Sequence, residues 1–264
     1  QRSIMSEKKA QNSFDEVSKT GEFKRKPTSF HDKVSREEGA QYPPVAGRYA
    51  VYVCLACPWA NRVLAVRALK GLEEVIDVVY VRPEWGVVDP SGTESWVFED
   101  GVVDGRSTAD HLYGLANLRG LYELHDADYA GRYTVPVFWD KETKQIVNNE
   151  SSEIIRFLNN EFQDLAKHPE IDLAPEALLP AIDEVNEWIY PTINNGVYRC
   201  GFATTQKAYD SAFEVLFSSL DRLEAHLEGK RYLVGEQLTE ADIRLFVTLI
   251  RFDPVYVGHF KCNK

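Results

Sequence analysis

The sequence predicts a two-part chain, an α/β domain followed by an all-α domain. Three observations carry this. A short alternating strand runs into a helix and then into a second β-rich run, the signature of a βαβ unit with a parallel strand pair. A further strand pair and helix occupy residues 133–162. Beyond Pro169 the apolar residues recur only with the 3.6-residue period of helices. The element order is therefore βαβ–α–ββα and then helices alone, with the junction at residues 163–175. The sequential division is an N-terminal arm over 1–46, an α/β domain over 47–165 and an all-helical domain over 170–264.

A chain of 264 residues with 44% hydrophobic content has ample material for two modest cores. Acidic residues outnumber basic ones 41 to 30, a formal charge of −11. That balance argues against a general nucleic-acid or anionic-membrane role, where a basic footprint is expected. Four cysteines, at 54, 57, 200 and 262, are too scattered for a secreted disulfide framework. There is no apolar run of about 18 residues, and the N-terminus lacks the apolar centre of a signal peptide. A soluble protein of a reducing compartment, the cytosol, is expected.

Residues 1–46 are polar and mixed in charge, with isolated Phe14, Phe23 and Phe30. They read as an arm that wraps the body or stays mobile, and Lys24-Arg25-Lys26 reads as a solvated patch. Pro43-Pro44 marks the entry to the folded domain. Tyr49, Val51 and Val53 alternate with Ala50 and Tyr52 in the first strand. Pro58 opens an amphipathic helix at little cost, since the first helical N–H has no intrahelical partner. Gly71 is placed to end it. Residues 75–81 read as the second strand, and 82–106, holding Trp85 and Trp96, as a long irregular loop. Helical spacing resumes over 108–124. Residues 133–139 form a strand containing Pro136, 140–144 a turn, 145–147 the returning strand and 153–162 a helix. In the second half, 177–194, 206–227 and 239–252 carry helical apolar faces. Gly229 fits the end of the middle one, and Thr239-Glu240-Ala241-Asp242 forms a capping box.

Cys57 stands between the first strand and its helix, where unpaired backbone N–H groups can stabilise a thiolate. Such sites lower a thiol pKa from roughly 8.5 to about 3.5–7.5. A nucleophilic Cys57 is one reading; a small buried hydrophobe is another. A third is a Cys54–Cys57 redox pair of the C-x-x-C kind. In such pairs the reactive cysteine is the first, at the helix start, with its partner one turn inside the helix. Here the helix begins after the second cysteine, and Ala60 occupies the partner position. Cys57 would then take its second thiol from a small molecule.

Pro136 within a β run marks an edge strand or a cis peptide bond. A cis Val135–Pro136 bond would turn the Val135 N–H and C=O outward, where they can pair with an extended peptide ligand. Ser151, before the helix of 153–162, reads as an N-cap beside amides that could hold an anion, or as a cap alone.

Several separated strings resemble one known family. A strand leading into Cys57-Pro58-Trp59-Ala60, the run Arg132-Tyr133-Thr134-Val135-Pro136-Val137 and the helix start Asn149-Glu150-Ser151-Ser152 are the pattern of cytosolic glutathione transferases. Asn195-Gly196-Val197-Tyr198-Arg199-Cys200-Gly201 and Arg251-Phe252-Asp253-Pro254-Val255-Tyr256 make the chain look like the Xi class, the glutathionyl-hydroquinone reductases. The resemblance extends from about residue 30 to the end. It implies a thioredoxin-like N-terminal domain with a cis-proline, followed by the all-helical glutathione-transferase C-terminal domain. It implies glutathione as co-substrate, no metal, aromatic glutathionyl conjugates as substrates and a homodimer. Carried over residue by residue, Cys57 is the catalytic thiolate, and Trp85, Arg119, Val135, Glu150 and Ser151 hold glutathione. Tyr198, Arg251 and Tyr256 form the hydroquinone site. An Omega-like thiol transferase or dehydroascorbate reductase is the nearest alternative, and a non-catalytic ligand-binding protein of the same fold another. Family members continue with further helix after the stretch matching 260–263, and this chain starts at Gln1, so a processed or partial chain is expected.

Overall fold

The computed structural model describes residues 16–88, 92 and 94–264. They fall into two compact units. One holds Thr28–Ala60 and Glu73–Glu150; the other holds the described residues of Ser13–Pro27, with Asn61–Leu72 and Ser151–Lys264. Packing thus groups residues differently from the sequential division at 46 and 165–170, because the arm and the first helix are each split between the units.

The first unit is built on β1 (Tyr49–Val53) and, after helix α1 (Pro58–Leu69), β2 (Asp77–Tyr80). Two small hairpins follow, β3 (Trp85–Val87) with β4 (Glu94–Trp96) and β5 (Val102–Val103) with β6 (Arg106–Ser107). Helix α2 (Leu118–His125), β7 (Val137–Asp140) and β8 (Gln145–Asn148) complete it. The four-stranded sheet has the order β2-β1-β7-β8. β1 pairs parallel with β2, Val51 opposite Val78, and antiparallel with β7, Val51 opposite Phe138. All five residues of β1 are buried, so its alternation separates two buried faces.

α1 ends where Gly71 predicts. Gly71 lies at φ +65°, its N–H donates to the Ala68 carbonyl at 3.0 Å, and the Leu72 N–H reaches the Arg67 carbonyl at 2.9 Å. This double bond around a left-handed residue is a Schellman motif.

Three local expectations change. The region 82–106 holds two hairpins rather than one irregular loop; Trp85 sits opposite Trp96 with their rings edge to face at 5.5 Å, a favourable cross-strand aromatic pair. Residues 89–91 and 93 of that region lie outside the described residues. The helix expected over 108–124 starts only at Leu118. The Asp110 carboxylate accepts the Leu112 and Leu115 N–H groups at 3.2 and 3.0 Å, taking amides a helix would use. Asn117 then caps α2 through the Gly120 N–H. Helix α3 spans Ser151–Asn160, so Ser151 is its first residue, not its cap, and Asn148 Oδ1 holds the Glu150 N–H at 2.7 Å.

In the second unit α3 is followed by α4 (Leu179–Ile189), α5 (Gly196–Gly201), α6 (Gln206–Leu227), α7 (Glu240–Leu249) and the short α8 (Val257–His259). Wide π turns at Tyr190–Asn194 and Phe252–Tyr256 interrupt the pattern where Pro191 and Pro254 withhold an N–H from the helical ladder. The Thr239 capping box is present, with Asp242 Oδ2 accepting the Thr239 N–H at 2.8 Å. Ile182, Ile189, Leu216, Leu223 and Leu245 form the centre of this unit's core.

The described arm packs, part in each unit. Phe23 is buried and stacks on Phe202 at 5.2 Å within the helical unit. Phe30, in the sheet unit, packs edge-on against His125; its carbonyl accepts the Asn149 N–H at 3.2 Å and its N–H donates to Asn149 Oδ1 at 3.1 Å.

Candidate active site

The Cys57 N–H donates to the Cys54 carbonyl at 3.1 Å, and Pro58 begins α1 at once. This tight turn leaves Cys57 half-buried while Cys54, Cys200 and Cys262 are buried. The four cysteines are thiols. Cys54, directly after β1, is buried with its thiol 3.9 Å from the Arg82 carbonyl. Cys262 Sγ lies 3.9 Å from the Val197 carbonyl and 3.7 Å from that of Phe260, and the neighbouring Cys200 thiol together with burial pushes the Cys262 thiol up. Cys57 is thus the least buried of the four.

Its sulfur lies 3.6 Å from the Val135 carbonyl, and the Val135–Pro136 peptide bond is cis. The loop bearing that bond is fixed by Tyr122. The fully buried phenol donates to the Thr134 carbonyl at 2.9 Å and accepts the Thr134 N–H at 3.2 Å and Asn149 Nδ2 at 3.3 Å. Burial pushes the phenol from 10.0 up to about 12, against the hydrogen bonds from Thr134 and Asn149. One side chain therefore ties the cis-proline loop to the residue before Glu150. Glu150 accepts the Thr28 hydroxyl at 3.3 Å. Trp85 is 41% exposed on its hairpin. Arg119, in the first turn of α2, donates to Glu123 at 2.6 Å.

In the helical unit, Ser151 is buried with its Oγ 3.4 Å from an Arg62 guanidinium nitrogen; another Arg62 nitrogen donates to the Arg244 carbonyl at 3.2 Å. Tyr198 sits among Phe202, Tyr256 and Phe260, with ring centroids 6.3, 6.1 and 5.1 Å away. The Arg25 guanidinium lies over its ring at 4.7 Å. Tyr256 is 2% exposed, and Arg251 donates to the Val247 carbonyl at 2.8 Å, at the end of α7.

The structure thus brings Cys57 to Val135 and Tyr198 to Tyr256. Arg119 and Arg251 bond within or next to their own helices. Tyr122, Thr28, Arg62 and Arg25 were not singled out as site residues from the sequence. The partners named for them above lie 12 to 182 positions away, and nothing in local spacing marks them.

The family pattern for the Glutathione S-transferase, N-terminal domain matches residues 56–161, and that for the C-terminal domain matches residues 206–263. The chain belongs to the glutathione transferase family. The chain is 49% identical to the glutathionyl-hydroquinone reductase PcpF of Sphingobium chlorophenolicum, over 95% of this chain and 75% of that protein. It is also 49% identical to the glutathionyl-hydroquinone reductase YqjG of Escherichia coli, over 95% and 76%. Among solved structures, the glutathione-S-transferase Xi of Phanerochaete chrysosporium superposes with a TM-score of 0.86 at 52% identity, covering 94% of this chain and 77% of that one. Within the family, then, these likenesses lie with the Xi class, whose thioredoxin-like and helical domains correspond to the elements described above.

Proposed function

We propose that the chain reduces glutathionyl-hydroquinones to hydroquinones, with Cys57 as nucleophile and glutathione as co-substrate. The observation that carries this is the half-buried Cys57 thiol at the start of α1, facing the carbonyl ahead of a cis-proline, with no second cysteine one turn along. The names of PcpF and YqjG support the substrate class, and the glutathione-bound structure of YqjG, with a TM-score of 0.80, supports the co-substrate.

In the first step the Cys57 thiolate attacks the sulfur of the conjugate. The carbon–sulfur bond breaks, its electron pair passes to the aromatic carbon, and that carbon takes a proton as the hydroquinone leaves. Cys57 remains as a mixed disulfide with glutathione. A second glutathione thiolate attacks the glutathionyl sulfur, releasing glutathione disulfide and restoring Cys57. The Val135 backbone pairs with the extended tripeptide. Glu150 and Ser151, at the start of α3, take its γ-glutamyl end, where helix N–H groups suit a carboxylate; Trp85 and Arg119 complete the glutathione contacts. The aromatic part is assigned to Tyr198, with Arg251 and Tyr256, where a tyrosine or arginine supplies the proton or stabilises the charge. The working form is a homodimer in the cytosol.

The test is Cys57→Ala assayed on a glutathionyl-hydroquinone, with intact mass of the wild type after exposure to the conjugate. Loss of turnover and a single glutathionyl adduct on the wild type are expected; full activity of the variant would sink the assignment. A second reading, an Omega-like thiol transferase, is favoured by 48% identity to the glutathione S-transferase omega-like 2 of Schizosaccharomyces pombe, over 93% of this chain. Both routes pass through the same mixed disulfide. Relative rates on the conjugate and on dehydroascorbate separate them.

A further inference from the structure

We propose that Arg25, on the N-terminal arm, is a positioning residue for the aromatic substrate, acting by holding the ring of Tyr198. This rests on the assignment of Tyr198 to that substrate. Arg25 stands in a run of three cations but behaves unlike its neighbours. Lys24 and Lys26 are exposed, whereas Arg25 is half-buried in the helical unit. Its guanidinium lies over Tyr198 at 4.7 Å and over Phe23 at 5.2 Å, and its Nε donates to Asn195 Oδ1 at 2.8 Å. Asn195 and Tyr198 are three residues apart, so both face the same side of the helical segment that begins at Gly196. One guanidinium therefore grips two points on that face, by a hydrogen bond at one and by cation–π attraction at the other.

The grip is anchored at its own end. The Thr204 N–H donates to the Gly21 carbonyl and the Thr205 hydroxyl to the Thr20 carbonyl, both at 3.0 Å, and Phe23 stacks on Phe202. The arm is thus fastened beside the end of α5, and Arg25 is delivered to Tyr198 by a fixed backbone. Phe202 lies nearly parallel to the Tyr198 ring, at 13°, and Phe260 meets it edge-on. Arg25 adds the polar, charged member of the ring's surroundings. Without it the ring keeps its aromatic neighbours and loses a cation–π contact that helps to orient it.

The experiment compares wild type, Arg25→Met and Arg25→Lys in the two half-reactions. Formation of the Cys57 mixed disulfide from a glutathionyl-hydroquinone is read in single turnover. Its reduction by glutathione is read separately, on enzyme preloaded with glutathione disulfide. Arg25→Met should lower kcat/KM for the first by about tenfold, mainly through KM, as expected for loss of a partly desolvated cation–π contact. The second should stay within about twofold, and Arg25→Lys should recover part of the loss by restoring charge without the planar fork. Equal losses in both half-reactions, or none in either, would overturn the proposal. Failure of the wild type to turn over the conjugate would instead refute the proposed activity. Binding of an unconjugated hydroquinone, read by quenching of intrinsic fluorescence, then decides Arg25 alone. About tenfold weaker binding to Arg25→Met at an unchanged Tm upholds it, and equal binding rejects it.

Discussion

Replacing Tyr122 by Phe removes one oxygen and should disturb both stability and glutathione affinity. The phenol is fully buried and serves three partners, the Thr134 carbonyl at 2.9 Å, the Thr134 N–H at 3.2 Å and Asn149 Nδ2 at 3.3 Å. Asn149 keeps a contact to Thr134 Oγ1 at 3.4 Å, so its loss is small. Thr134 is half-buried, so its two backbone groups lose less than the about 1–3 kcal/mol each that fully buried ones would. A net loss of about 1–3 kcal/mol follows, read as a lower midpoint in urea with the slope unchanged. Because Thr134 precedes Val135 and Asn149 precedes Glu150, the two residues proposed to hold glutathione, KM for glutathione should on that proposal rise several-fold. The alkaline limb carries an independent signature. A phenol held at about 12 in the folded protein, against 10.0 ordinarily, contributes stability that is complete below pH 10 and is lost as pH rises through 12. That window is worth roughly 3 kcal/mol at full separation. Tyr122→Phe should therefore flatten the loss of stability between pH 10 and 12. Wild-type stability together with a wild-type KM for glutathione would refute the reasoning.

Other substitutions test other joints. Asp140 is fully buried and accepts Arg48 Nε and Nη2 at 2.9 and 2.6 Å and the Thr143 hydroxyl at 2.7 Å. Burial pushes its carboxyl upward, but these bonds outweigh it and hold the pKa below the usual range. Its contribution is present above about pH 4 and lost as pH falls through the folded value. Asp140→Asn should cost about 3–5 kcal/mol at neutral pH and flatten the acid limb, both measured by urea unfolding across pH. Gly71→Ala places a Cβ 2.6 Å from that of Lys167 at φ +65°, and thermal unfolding should show a loss of about 1–3 kcal/mol. Glu240 is buried and holds Arg156 through bonds of 2.8 and 2.5 Å. Glu240→Gln should lower the urea midpoint by the equivalent of about 2–4 kcal/mol.

What could be read from the chain was what neighbours in sequence decide. The Cys57-Pro58 helix start, the Gly71 stop, the 206–227 helix and the Thr239 capping box each depend on residues within about a turn, and each appears where expected. The hairpins in 82–106 were hidden because strands of two or three residues carry no period. The late start of α2 was hidden because Asp110 diverts amides that the leucine spacing seemed to offer to a helix. The cis Val135–Pro136 bond was legible as one of two readings of a proline in a β run, whereas the approach of Cys57 to Val135 spans 78 positions and had no local mark. Arg25 and Tyr198 carry no motif relating them, so a basic tripeptide looked solvated until the structure turned its middle residue inward.

The division of the chain between its two units bears on how the protein is made. The sheet unit takes Thr28–Ala60 and Glu73–Glu150, while Asn61–Leu72 between them belongs with residues beyond 150. Neither unit is a continuous stretch. During synthesis, residues 61–72 emerge before most of the segments they pack with, and the helical unit cannot close until its last helices have left the ribosome. Such long-range pairing slows folding, because loop closure precedes the contacts that reward it. Cutting the gene near 150 would leave Asn61–Leu72, which belong with the helical unit, on the fragment that carries the sheet unit. Expression of residues 151–264 alone should accordingly yield an aggregation-prone chain, whereas co-expression with residues 1–150 should restore a folded complex.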